Sequence, residues 1–144
     1  MSTNAPIKLF LVDDDALLLK TLEMEFSSQG GFEISTFATG ERCLEKIAEN
    51  PDVIILDYHL DGIEHGAMNG LATLDKIKLA NSNIPVIMLS SQDKIDIAIN
   101  CMHHKAYDYV VKSETAVMRL NKIISSILQY KKLEKQMSWY MERM

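Results

Sequence analysis

Val53-Ile54-Ile55-Leu56-Asp57 is a run of four apolar residues, three of them β-branched, closed by a carboxylate. So short a run without polar alternation reads as a strand buried on both faces, the mark of a parallel sheet. Outward from it lie four similar runs: Ile7 to Val12, Phe32 to Phe37, Ile84 to Leu89 and Tyr107 to Val111. Phe32 to Phe37 is the most polar and is expected at a sheet edge.

Helical patterns separate the runs. Leu17, Leu18, Thr21, Leu22, Glu25 and Phe26 mark the first, and Cys43, Leu44, Ile47 and Ala48 the second. Leu71, Leu74, Ile77 and Lys78 mark the third, Ile95, Ala98, Ile99 and Met102 the fourth, and a fifth begins near Glu114 and runs to the end. Regular strand-helix alternation implies right-handed crossovers, hence one parallel sheet with helices on both faces. The expected fold is α/β: a doubly wound, five-stranded parallel sheet of order 2-1-3-4-5 with an extended C-terminal helix. No repeat or Pro/Gly/Ser-rich linker divides the chain. One connection, His59 to Asn69, is long for a βα loop.

Ligands of open α/β sheets bind beyond the carboxyl ends of the strands, so the residues after each run carry the functional information. Those residues are Asp13, Asp14 and Asp15; Asp57; Ser90 and Ser91; and Lys112. One Asp of the first group is expected to cap a helix, but capping does not account for three. Asp57 has no partner nearby in sequence. Two like charges about 4 Å apart repel by about 4 kcal/mol at an effective dielectric of ~20, so clustered carboxylates want a cation. An oxygen-only ligand set points to Mg²⁺, with Mn²⁺ possible. A hydroxyl and a lysine opposite would suit three anionic oxygens, which is to say a phosphoryl group.

Bulk properties agree with a single soluble domain. A chain of 144 residues buries roughly 70 % of the surface its unfolded form exposes. It is 47 % hydrophobic and 24 % charged, so neither disorder nor a fibrous repeat is indicated. Cys43 and Cys101 form no C-x-x-C pair and read as free thiols in a reducing compartment. Met1 to Pro6 lack the features of a secretory signal, and no apolar stretch approaches the ~20 residues of a membrane span, so a cytoplasmic location with no membrane contact is expected. The net charge of −5 divides into +3 after residue 112 and −8 before it. An acidic body argues against direct nucleic-acid binding.

The sequence also resembles a known family, the receiver domains of two-component response regulators (CheY-like, flavodoxin-like in topology), over about residues 6 to 128. Leu9 to Asp15 is similar to that family's acidic-pair strand, Asp52 to Asp57 to its phosphoacceptor strand, Pro85 to Ser91 to its hydroxyl strand, and Ala106 to Lys112 to the segment with its aromatic and lysine. The resemblance implies that Asp57 takes a phosphoryl group from a histidine kinase or phosphotransfer protein. It further implies that Asp13, Asp14, Asp57 and the backbone carbonyl of His59 hold Mg²⁺, with Asp13 acting mainly through water. Lys112 and Ser90 would bind phosphoryl oxygens, and Tyr109 would turn inward when Ser90 moves. His59 and Gln92 would tune dephosphorylation. The readout surface would be the fourth helix, fifth strand and fifth helix, presented to a downstream effector that the sequence does not name. Such a protein is no enzyme beyond its own phosphorylation and dephosphorylation.

Four departures accompany the resemblance. The loop Tyr58 to Gly70 is about five residues longer than usual, Ser113 replaces a proline whose bond is usually cis, Lys105 stands where Gly is common, and Ser90 stands where Thr is also frequent. His103 and His104 are adjacent and chelate poorly, so they are expected to favour a helix C-terminus. His59, Asp61, Glu64 and His65 read as a solvated loop rather than a second metal site. Three rival readings fit these residues less well. A haloacid-dehalogenase-type phosphohydrolase needs a second Asp where His59 stands, a flavin module needs a phosphate loop that Asp13 to Asp15 would repel, and a pseudo-receiver scaffold does not need an intact site.

Ala116, Leu120, Ile123, Ile127, Tyr130, Glu134, Met137, Met141 and Met144 continue the fifth helix in steps of four and three. Residues 1–130 are thus expected to form the domain and 131–144 a helical extension. That extension would pair with a second copy, fold back or lead onward, unless it frays after Tyr130; a homodimer through it is the expectation.

Overall fold

A computed structural model describes residues 5–60 and 66–144. Asp61, Glu64 and His65, the chief candidates for a second metal site, lie outside the described residues. The strands are β1 (Ile7–Val12), β2 (Phe32–Phe37), β3 (Val53–Asp57), β4 (Val86–Ser90) and β5 (Asp108–Val111). The helices are α1 (Ala16–Gln29), α2 (Gly40–Glu45), α3 (Gly70–Ala80), α4 (Ile95–His103) and α5 (Ala116–Glu142). All strand pairs are parallel and the order is β2-β1-β3-β4-β5, as expected, with the polar β2 at one edge.

The period-two alternation of the strands sorts the core into two layers. Leu9, Leu11, Val53, Ile55, Ile87 and Leu89 face one way, against Leu22 and Phe26 of α1 and Leu120, Ile124 and Ile127 of α5. Phe10, Val12, Ile54, Leu56, Val86 and Met88 face the other, against Cys43 of α2, Leu74 and Ile77 of α3 and Cys101 of α4. Both cysteines are free and buried, and burial pushes the Cys43 thiol up to about 12.

Four local features differ from or refine the sequence reading. The second helical stretch is not one helix: α2 stops at Glu45 and tightens into a 3₁₀ turn, Ile47–Glu49, ended by Asn50 in the left-handed region. Lys105 does take a positive φ, +73°. No peptide bond among the described residues is cis, including the one after Lys112. At the C-terminus α5 is continuous to Glu142 and does not fray at Tyr130. Among the described residues no helix is long and apolar enough to cross a membrane.

Candidate functional site

Strand register assembles the site. Val12 pairs with Leu56, so Asp13 and Asp57 leave adjacent strands at the same level, with strand axes about 4.8 Å apart. Asp57 pairs with Leu89 and Ser90 with Val111, which brings the hydroxyl and the start of the Lys112 segment to the same edge. Asp13, Asp14 and Asp57 each offer a carboxylate oxygen within 4.8 Å of the others. Asp15 is the helix cap anticipated for one of the three: its Oδ1 accepts the amides of Leu17 and Leu18, opening α1.

Asp13 and Asp57 are 2 % and 3 % exposed, so their charges are held away from bulk water. Lys112 answers both. Its Nζ lies 3.2 Å from Asp13 Oδ2 and 3.2 Å from Asp57 Oδ1. The contact with Asp13 is a charge approach without hydrogen-bond alignment, and Asp13 Oδ2 is left as a buried oxygen lacking a hydrogen-bond partner. The other oxygen, Oδ1, accepts the amide of Asp15 at 2.9 Å.

Burial, followed by the neighbouring Asp13 charge, raises the Asp57 carboxyl from 3.8 to about 7, against the lowering effects of Lys112 and the His59 amide. Burial works the other way on Lys112, but Asp13 and Asp57 outweigh it and hold its ammonium above the ordinary lysine value. Among the described residues one cation, Lys112, thus answers the two buried carboxylates of Asp13 and Asp57, with Asp14 close by.

Ser90 is fully buried; its Oγ accepts the amide of Gln92 at 3.0 Å, and its carbonyl accepts the amide of Lys112 at 2.7 Å. Tyr109 is partly buried beside the α4 layer, with its hydroxyl donating to the Gln92 carbonyl. Burial raises the Tyr109 phenol, opposed by a hydrogen bond from Ser90. Tyr109, the aromatic expected to move, is thus half-buried and anchored to the Gln92 backbone. The His59 amide donates to Asp57 Oδ1 at 3.3 Å. His103 lies in the last turn of α4 and His104 caps it, where His104 Nδ1 meets Asp75 Oδ1 at 2.8 Å.

Two structural supports were not singled out from the residues alone. A Cβ on Gly70 would sit 2.4 Å from the Asp57 carbonyl oxygen and 2.7 Å from that of Tyr58, so only glycine lets α3 start against the end of β3. Glu41 Oε2 accepts the amide of Met68 at 2.9 Å and ties down the far end of the long loop. The Asn69-Gly70 pair carries a weak signal of the first, as a cap followed by a residue of minimal bulk. Nothing local marks the second.

Comparison with known proteins supplies an independent line. Residues 9–125 match the response regulator receiver domain family. The chain is similar to the DNA-binding transcriptional regulator NtrC of Escherichia coli, 32 % identical over 105 residues, covering 72 % of this chain and 21 % of NtrC. It is 36 % identical over 115 residues to a protein-glutamate methylesterase/protein-glutamine glutaminase of Bacillus licheniformis, covering 77 % of this chain and 30 % of that protein. It thus spans less than a third of either relative. Among solved structures, the CheX–CheY–BeF3–Mg²⁺ complex from Borrelia burgdorferi has a chain superposing with a TM-score of 0.72 at 28 % identity, covering 85 % of this chain and 90 % of that one.

Proposed function

The chain belongs to the response regulator receiver domain family, and from that premise we propose that it is a switch set by phosphorylation of Asp57. The observation that carries this reading is the trio of carboxylates within 4.8 Å, faced by a lysine 3.2 Å from two of them. An Asp57 oxygen attacks the phosphorus of a phosphohistidine on a partner kinase or phosphotransfer protein. The P–N bond breaks, an acyl phosphate forms, and the imidazole leaves as the neutral base after taking a proton. Lys112 is placed to turn from Asp57 to a phosphoryl oxygen, and the Ser90 hydroxyl to donate to another.

The donor set fits a hard divalent cation. It offers oxygen atoms only, three carboxylates within 4.8 Å of one another and a buried Asp13 oxygen without an aligned hydrogen bond, all of which favour Mg²⁺ or Mn²⁺. Asp14, Asp57 and the His59 carbonyl would hold the ion directly and Asp13 through water. When bound, it supplies charge neutralisation at the phosphoryl oxygens.

Tyr109 and Ser90 form the proposed relay, since both bind the backbone of Gln92 from either side: Ser90 takes its N–H and Tyr109 its C=O. Side chains at His59 and Gln92 would set access of water to the acyl phosphate. Residues 131–144 are proposed as an extension that pairs two copies, because Leu133, Met137, Tyr140 and Met141 stand exposed along it. The domain alone has no other catalytic role in this reading.

Intact-mass measurement with a small phosphodonor and Mg²⁺ tests the central claim. One acid-labile phosphoryl group should appear, and it should be absent in Asp57→Asn or with chelator. Undiminished labelling of that variant would refute the assignment.

A further inference from the structure

We propose that a second site, at the opposite end of the sheet from Asp57, binds a small phosphate-bearing molecule. A cleft of about 750 Å³ opens there between the entry to β3, the turn after α3, the turn before β5 and the flank of α5. That is within the size range of small-molecule sites. Lys78, Lys105 and Lys131 all line it, in a domain whose first 112 residues carry a formal charge of −8. Three cations gathered in an acidic body form a local positive field suited to an anion.

Their states differ. Lys78 is held in place by its Nζ donating to the carbonyls of Ser82 at 3.4 Å and Ile84 at 2.5 Å, which leaves its third N–H for a ligand. Burial and then the charge of Lys105 lower its pKa, a sign that the two ammonium groups feel each other. Lys131 is partly spent on Asp52, donating to its carbonyl at 3.0 Å and lying 3.7 Å from Oδ1. Asp52 is also occupied, since its Oδ2 accepts the Lys8 amide at 2.8 Å. Glu134 is the remaining carboxylate of the lining and is exposed on α5. Lys105 is exposed, and no carboxylate pairs with it within 4 Å among the described residues.

Backbone turns at two helix ends place part of the lining. Among the described residues only two other than glycine have positive φ, Asn50 at +62° and Lys105 at +73°, and both line this cleft. Asn tolerates that region, and the Asn50 side chain is fixed by accepting from Asn81 Nδ2 at 2.9 Å. Lysine does not tolerate it well, and glycine would relieve the strain without loss of any hydrogen bond made by the side chain. The positive φ of Lys105 belongs to the turn that closes α4, in which its amide donates to the Met102 carbonyl at 3.0 Å and the Ala106 amide to that of Cys101 at 3.1 Å, and that turn sets Lys105 on the cleft lining. Tyr107 and Tyr130, both exposed on the lining, add aromatic surface against which a nucleoside base could rest.

Amide NMR titrations of the full chain with inorganic pyrophosphate and with AMP test this, in chelator so that the Asp57 end takes up no metal-bound phosphate. Shifts should concentrate at Asn81 to Ile84 and at Lys105 to Tyr107. Lys105→Gly should weaken binding by about tenfold while raising the melting temperature, so lost binding could not be laid to misfolding. Lys20→Ala, on α1 and remote from the cleft, should bind as the parent does. Tighter binding of AMP than of pyrophosphate assigns the site to nucleotides, and the reverse to phosphate groups alone. No shifts at millimolar ligand, unaltered affinity in Lys105→Gly, or equal weakening in Lys20→Ala would each overturn the proposal.

Discussion

Replacing Asp57 by Asn should stabilise the metal-free protein above neutral pH and leave it nearly unchanged near pH 4. The wild-type carboxyl titrates at about 7 when folded, against 3.8 as the ordinary value. Below 3.8 both folded and unfolded chains hold this proton. Between the two values only the folded chain holds it, so the unfolded state binds fewer protons and stability falls as pH rises. Above about 7 both forms are ionised and the penalty is complete. At 1.36 kcal/mol per tenfold change in proton affinity, the interval corresponds to about 4 kcal/mol, and adjustment of Lys112 between its two carboxylates brings the expectation to about 2–4 kcal/mol. Asn keeps an oxygen for the His59 amide and the Lys112 ammonium but carries no charge beside Asp13. Other carboxylates give the opposite slope at low pH, so the quantity to follow is the difference between variant and parent in urea unfolding from pH 4 to 8.5, with chelator present. It should climb through the window below 7 and then level. A difference that stays flat, or an Asn variant less stable than the parent at pH 8, would refute the argument that buried repulsion at Asp57 is uncompensated.

Mg²⁺ should raise the melting temperature by relieving the same repulsion, by about 1.4 kcal/mol or ~3–5 °C at ten times its dissociation constant; an equal rise in Asp14→Asn would place the ion elsewhere. Gly70→Ala should lose about 2 kcal/mol in denaturant unfolding despite alanine's better helix propensity, because the added methyl meets the carbonyl oxygens of Asp57 and Tyr58. Stability equal to the parent would show that α3 can shift. Sedimentation should find the full chain dimeric and a version ending at Gln129 monomeric, and identical monomers would remove the role given to the extension.

Most of the sheet could be read from the sequence because strands buried on both faces allow few alternatives. Val53 to Leu56 has no polar position at which a helix or an edge could be accommodated, and Asp57 is marked by closing it. Boundaries were less legible where proline intervenes: Ile84 and Pro85 continue the apolar run, yet β4 begins only at Val86. Pro85 has no N–H to give a ladder, though its carbonyl still accepts from Ile54 at 3.1 Å. The second helix misled because Cys43, Leu44, Ile47 and Ala48 have helical spacing. Asn50 before Pro51 terminates it from outside that pattern, since proline disfavours helical geometry in the preceding residue. At the site, the identities of Asp13, Asp57, Ser90 and Lys112 were legible as strand ends. That Lys112 lies equally close to two carboxylates was not, because β4 separates its strand from β3 and only the twisted sheet fixes that reach. The cleft lined by Lys78, Lys105 and Lys131 has no motif at all; it is made by segments distant in sequence.

The equal reach of Lys112 bears on how a charge change at Asp57 would spread. A lysine held at 3.2 Å from each of two carboxylates sits between competing attractions, so a change in charge on one side shifts the balance of forces on it. Its own backbone is not free to follow, because the Lys112 amide is bound to the Ser90 carbonyl at the end of β4. Movement is therefore directed to side chains. On that strand end the Ser90 hydroxyl and the Tyr109 hydroxyl hold Gln92 from its two backbone faces. Drawing Ser90 toward a phosphoryl group would release the Gln92 amide, and with it the carbonyl on which Tyr109 rests. Tyr109 thus rests on the same residue, Gln92, whose amide Ser90 would give up in the proposed switch. In the proposed switch Ser90 Oγ accepts the Gln92 amide while its O–H is left to donate to a phosphoryl oxygen, a charge-assisted bond about twice as strong as a neutral one, so the question is whether the side chain turns far enough to give up the amide. Ser90→Ala removes the choice. It should leave Tyr109 fluorescence and exchange at the Gln92 amide indifferent to phosphorylation, whereas in the parent both should change, and a parent-like response in the variant would sever Ser90 from the relay.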